Sequence, residues 1–291
     1  MPIEPGDVAS VIRLLSPERL RALTILTGSD DAAIELHQET LRLGSSLMHL
    51  TATVEIALRN SVCENLSHHF CVPNWLTQTP VLFQWREPER KKIEQALDSA
   101  RRAEYSKMSQ ADKAALDVLA YPNGRPPNTS HLKRSKDRRK RINVSEGKVI
   151  AELTLYFWKR LYGPEYDQTL WRTTLKRTFP YKKLTRAEIA VHLEQIYQSR
   201  NRLAHHEPVL HKRFNDTMAA IEFVVQRLEA TTPSSDMPLA RLLDRDIADV
   251  RAKAAALHGR LNAYRSGQIS AASAAGEITE VGNDGEDDKQ D

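Results

Sequence analysis

A chain of 291 residues that is 41% hydrophobic and 27% charged can bury a real core in one large or two modest domains. Only 11 glycines and 14 prolines, among long amphipathic runs without repeated strand-and-turn signals, argue against a β-sandwich and for a mostly helical protein. Net charge is +4, but residues 271–291 hold seven acids against one lysine, leaving 41 basic and 31 acidic side chains, a net +10, on residues 1–270, a balance that favours a polyanionic partner.

The opening "MPIEPGDVASVIRLL" has early acids and no basic stretch leading into a long apolar run, and no later window holds 18 apolar residues, so the chain is expected in the cytoplasm, without a membrane. In "LSPERLRALTILTG", Ser16 as N-cap, Pro17 at the first helical position and Gly28 as a stop describe a short helix. A second helix carries Ile34, Leu41, Met48 and Leu58 at helical spacing to about Phe70, with Gly44 placed to bend it. Cys63 and Cys71 lack CxxC spacing and a ligand set, and read as small apolar residues of a reducing compartment.

A charged helix is expected from about Pro88 to Tyr105, and between 105 and 145 the pattern dissolves into a loop. Seven of the nine residues from Lys133 to Arg141 are basic, namely Lys133, Arg134, Lys136, Arg138, Arg139, Lys140 and Arg141. That run reads either as a solvated surface or as an RNA contact. Helical periodicity returns in "SEGKVIAELTLYFWKRLYG", capped by Ser145 and stopped by Gly163, and in a shorter helix ended by Pro180. Two more helices follow, from about Arg186 and over 211–230. A helical appendage over 231–265 lies beyond a Thr-Pro-Ser linker, and a small, acidic tail over 266–291 reads as disordered. Trp75, Trp85, Trp158 and Trp171 read as core or interface anchors rather than base-stacking platforms.

The informative stretch is "IYQSRNRLAHHEPVL", residues 196–210. The apolar stripe of its helix falls on Ile189, Leu193, Ile196 and Leu203, and Arg200 occupies the vacancy four residues after Ile196, on the buried or partner-facing side. On a straight helix Arg200 and His205 point about 140° apart. Pro208 disfavours helical geometry at Glu207, so the helix should end near His205 or His206 and let an imidazole swing back towards Arg200. A second copy packed through the same stripe would also join two clusters. Either route gives a basic pocket suited to cleaving an RNA phosphodiester: histidine exchanges protons near neutrality and arginine donates to the non-bridging oxygens. Asn201 is placed to orient a histidine or the phosphate. No metal or other cofactor is expected, because the neighbourhood offers no carboxylate cluster to hold one. Alone, Asn and His before a proline also make an ordinary helix C-terminus, where positive charge complements the dipole.

"SRNRLAHHEPV" resembles the Arg-Asn-x3-His signature of HEPN-domain proteins, specifically the abortive-infection-like (Abi-like) group. "VEIALRNSVCENLSHHF" at 54–70 and "GKVIAELTLYFWKRLYGPEYDQTLWRTTLKRTFP" at 147–180 look like the same group, so the resemblance runs from about residue 30 to 225. It implies an all-α HEPN-type bundle over 1–230 and a metal-independent endoribonuclease acting in phage defence or as a toxin. The implied site forms across a homodimer, with Arg200, Asn201 and His205 matching the motif and His206 as an auxiliary outside it. An antitoxin or defence partner fits the same resemblance, and cleavage by 2′-OH attack would leave 2′,3′-cyclic phosphate and 5′-OH ends. Arg59 and Asn60 form a decoy, since His68 and His69 lie too far downstream for the motif; with Glu55 they read as a polar network. The alternatives are a non-catalytic RNA-binding or regulatory module in a toxin and antitoxin or RNA-guided assembly, and a purely structural interaction protein.

Overall fold

The computed structural model describes residues 4, 6–72, 74–80 and 82–267, and among them every regular element is helical, with no strand. The tail expected to be disordered lies, from residue 268 on, outside the described residues. The helices are α1 (Val8–Leu15), α2 (Pro17–Thr27), α3 (Asp30–Phe70), α4 (Glu87–Lys107), α5 (Gln110–Ala120), α6 (His131–Arg139), α7 (Glu146–Glu152), α8 (Leu155–Arg160), α9 (Arg186–Ala204), α10 (His211–Arg227) and α11 (Pro238–Arg265). No helix of the described residues is long and apolar enough to cross a membrane.

The described residues divide into two compact units, the first drawn from those up to 53, 198–221 and 240–267, the second from 54–197 and 222–239. In the first, Leu36, Leu43, Leu47 and Leu50 of α3 are buried, as are Phe214 and Met218 of α10 and Val250, Leu257 and Leu261 of α11. Arg260 of α11 bonds Glu35 (3.1 Å) and Glu39 of α3, and Lys253 reaches Ser46 at 3.0 Å. Residues 240–265 of the expected appendage are therefore part of the same compact unit as α1 and α2, while 231–239 belong to the second. Gly28 ends α2 in the left-handed conformation that its missing Cβ tolerates (φ 67°). At Gly44 a Cβ would meet Leu203 at 3.4 Å, so this glycine marks a close helix approach rather than a bend.

The second unit is built on aromatics. Trp75, Trp85, Phe157, Trp158, Tyr162, Tyr166, Trp171 and Phe179 are all buried, as anchors of a core should be. The Trp75 indole donates to Ser67 (2.8 Å) and that of Trp85 to the Leu76 carbonyl (3.2 Å). Two expectations fail here. The single helix from Ser145 to Gly163 is broken at Leu153 and Thr154, both extended, where turning the backbone buries both Leu153 and Leu155. The helix expected before Pro180 is a chain of tight turns: 3₁₀ at Pro164–Tyr166 and Leu175–Thr178, π at Asp167–Trp171. Its threonine hydroxyls compete for the backbone: Thr173 donates to Thr169 O (2.7 Å), Thr174 to Asn65 O (3.0 Å) and Thr178 to Leu175 O (2.6 Å).

The loop expected between 105 and 145 is also largely helical. Ser109 caps α5 by accepting from the Asp112 N–H, and Ser130 caps α6 by accepting from the Lys133 N–H. α3 runs unbroken past the decoy, leaving His68 and His69 exposed in its last turn. Cys63 is half-buried, its thiol pushed up to about 12 by burial, and Cys71 is exposed; both are free.

Candidate functional site

The end of α9 is built as a Schellman cap, a turn that satisfies the last carbonyls of a helix. The Glu207 N–H bonds back to the Arg202 carbonyl at 2.8 Å, and the His206 N–H to that of Leu203 at 3.0 Å. His206 takes the left-handed conformation that this turn requires (φ 56°), at a position that usually falls to glycine. The Arg202 side chain then closes an ion pair with Glu207 at 2.9 Å, clamping the last helical turn to the residue before Pro208. Helix end and turn follow from Pro208, which restricts Glu207, and from Val209, which is buried just beyond.

The stripe of α9 is wider than expected. Ile189, Leu193, Ile196 and Leu203 are buried, and Ser199 joins them at one edge, fully buried and hydrogen-bonded to Thr217 of α10 at 2.6 Å. Arg200, at the angular position between Ile189 and Leu193, is half-buried, as a long side chain that carries its guanidinium towards water can be. The stripe is filled by the chain's own core, so a second copy packing through it is excluded as a route to a shared pocket. Asn201 is half-buried and its carbonyl accepts the His205 N–H at 3.2 Å. His205 and His206 are both exposed in the turn.

Beyond the turn a feature appears that sequence spacing did not signal. The His211 N–H at the start of α10 donates to Nε2 of His258 on α11 at 3.0 Å, and the two imidazoles stack with centroids 4.6 Å apart. Burial, and next the neighbouring His211, hold the His258 imidazole below its ordinary range, which keeps Nε2 an acceptor. A separation of 47 positions in sequence hid the pair.

The basic run is divided by α6 into two faces. Arg138, 7% exposed, donates from Nε and Nη2 to the Asp117 carboxylate of α5, each at 2.6 Å, and from Nη1 to the Tyr105 hydroxyl of α4 at 3.3 Å. Arg134 grips the same carboxylate, with Nε 3.1 Å from Oδ1. These guanidinium bonds, Arg138 first, hold the Asp117 carboxyl well below the usual carboxylate range. Arg139 turns towards Asp98 of α4, 3.7 Å away. Lys133, Lys136, Lys140 and Arg141 are exposed.

No protein-family model, curated protein or solved structure matches the chain.

Proposed function

We propose that the protein is a metal-independent endoribonuclease of the HEPN, Abi-like kind, acting in the cytoplasm in phage defence or as a toxin. The observation that carries the reading is the end of α9, where the Arg-Asn-x3-His spacing coincides with a helix that stops at Ala204. His205 is left exposed on a hydrogen-bonded turn while Arg200 stays in the last helical turns. A rigid backbone under an exposed imidazole is what proton transfer to a bound substrate needs.

In this mechanism a ribose 2′-oxygen attacks the adjacent phosphorus as its proton passes to an imidazole. The P–O5′ bond breaks, and the leaving 5′-oxygen takes a proton from a second imidazole, giving a 2′,3′-cyclic phosphate and a 5′-OH. Two copies of His205 supply base and acid when two chains meet at the exposed turn, residues 204–208. Arg200 donates to the non-bridging oxygens where charge accumulates, and Asn201 orients the phosphate. His206, spent on the left-handed position of the cap, contributes backbone geometry first.

The test is cleavage of RNA by His205→Ala and Arg200→Ala proteins that keep their helical circular dichroism. Each is expected to lose roughly a hundredfold or more in rate, the usual contribution of general acid–base or oxyanion groups. A His205→Ala protein that cuts at the wild-type rate overturns the assignment.

A further inference from the structure

Helix α6 buries no apolar side chain; its one buried residue is Arg138. Most helices in a folded protein are held by an apolar face. This one is held by charge, with Arg134 and Arg138, one turn apart, both gripping the single carboxylate of Asp117, and Arg139 turned to Asp98. Three of its cations are thereby engaged by carboxylates of α4 and α5.

The remaining cations sit on the other side. Lys133, Lys136 and Lys140 follow each other at spacings of three and four residues, which puts them within about 60° of one another on a helix, opposite the Asp117 clamp. All three are exposed, and Arg141 is exposed immediately after them. The one carboxylate within ion-pair range of this row, among the described residues, is Asp137, 3.8 Å from Lys140 and also accepting the Tyr121 hydroxyl. The one apolar side chain of α6, Leu132, stands exposed beside the row, and the helix carries no Trp, Tyr or Phe, so the row lacks the aromatic anchor around which a protein interface is organised. From Lys133 to Lys140 the rise is about 10 Å, the length of about three backbone phosphates at their axial spacing along one strand.

We propose that this outer row of α6 is a nucleic-acid backbone surface, with Lys133, Lys136 and Lys140 each neutralising a phosphate and the Asp117 clamp holding the row rigid. The arginines of the clamp take no part in the contact, because each would have to leave its carboxylate. Ammonium point charges along a row give affinity without reading sequence. This surface shares no residue with the α9 turn; that its polyanion is RNA rests on the function proposed above.

The experiment measures binding of a fluorescent single-stranded oligouridine RNA to full-length protein in EDTA, as a function of salt, with His205→Ala in the background to suppress cleavage. Adding Lys133→Gln, Lys136→Gln and Lys140→Gln is expected to reduce the slope of log affinity against log salt by about 2, and each single change by about 0.7. At about 0.1 M salt the triple change then weakens binding roughly a hundredfold. Replacing the three lysines with arginine should keep the slope. RNA binding with an unchanged slope in the triple variant overturns this surface while leaving the ribonuclease reading in place. Absence of RNA binding by the parent overturns the surface too, and the cleavage assay then judges the ribonuclease on its own. Polyglutamate bound as tightly as RNA of equal charge, and lost in the same variant, overturns the nucleic-acid assignment in favour of an acidic protein partner.

Discussion

Replacing Glu89 with alanine should be among the most damaging single changes in the second unit. Glu89 lies in α4 and is 1% exposed. One carboxylate oxygen accepts from Arg160 Nε at 2.7 Å and the other from the Tyr166 hydroxyl at 2.8 Å. That hydroxyl in turn accepts the Arg86 N–H at 3.0 Å, so one side chain ties α4 to α8 and to the turn at Pro164–Tyr166. Burial pushes the Tyr166 phenol well above its ordinary range, so it remains a donor that needs an acceptor. Glu89→Ala removes both charge-assisted bonds and leaves a buried hydroxyl and a guanidinium without their acceptor. Breaking such a pair from one side costs about 3–5 kcal/mol. Arg160 keeps 26% side-chain exposure and a second carboxylate, Glu165, at 3.3 Å, which offsets part of the loss. The expected cost is therefore at the low end, about 3 kcal/mol, read from urea unfolding followed by tryptophan fluorescence. The paired change Glu89→Leu with Arg160→Met should recover only the part due to the unpaired guanidinium, since the buried Tyr166 hydroxyl still lacks its acceptor. A loss below about 1 kcal/mol in Glu89→Ala would show that the network does not hold these elements together.

Three further outcomes follow from the site. His206→Gly relieves a left-handed side chain in the α9 cap and should stabilise the protein by about 0.5–1 kcal/mol after the extra entropy of an unfolded glycine is subtracted, seen as a higher urea midpoint. Ser199→Ala removes the buried bond to Thr217, whose hydroxyl still donates to the Arg213 carbonyl, so the loss should stay near 1 kcal/mol by the same measurement. Burial holds His37, His192 and His258 below the ordinary value of 6.5, so folding disfavours their protonated forms. The unfolded chain then binds more protons, and stability is complete above that value and falls as pH drops below it. The urea midpoint should decline between about pH 7.5 and about pH 5.5, less steeply in His258→Asn.

The long helices were legible because their signals are local. Asp30–Phe70 and Arg186–Ala204 carry apolar residues at helical spacing along most of their length, Glu87–Lys107 carries charge over Ile93, Ala96 and Ala100, and Pro208 announced the end of α9. Helices α5 and α6 were obscured by glycine, proline and charge between them, although Ser109 and Ser130 stood at their caps. What holds α6 was hidden for a different reason: Asp117 lies 17 and 21 residues from the arginines it pairs with, and sequence gives no measure of that contact. The break at Leu153–Thr154 and the turns to Thr178 depend on where aromatics and threonine hydroxyls find partners in the folded core. At the site, the motif residues were visible as a pattern, but the burial of Ser199 beside Arg200 was not, because it depends on Thr217 satisfying the serine hydroxyl.

The most direct measurement incubates purified protein with an end-labelled, structured RNA pool in EDTA and identifies the chemistry of the product ends. A ribonuclease of this kind cleaves as the wild type, fails as His205→Ala, and leaves fragments ending in 2′,3′-cyclic phosphate with 5′-OH partners. Fragments bearing 5′-phosphate ends, or equal cleavage by the two proteins, would contradict this assignment.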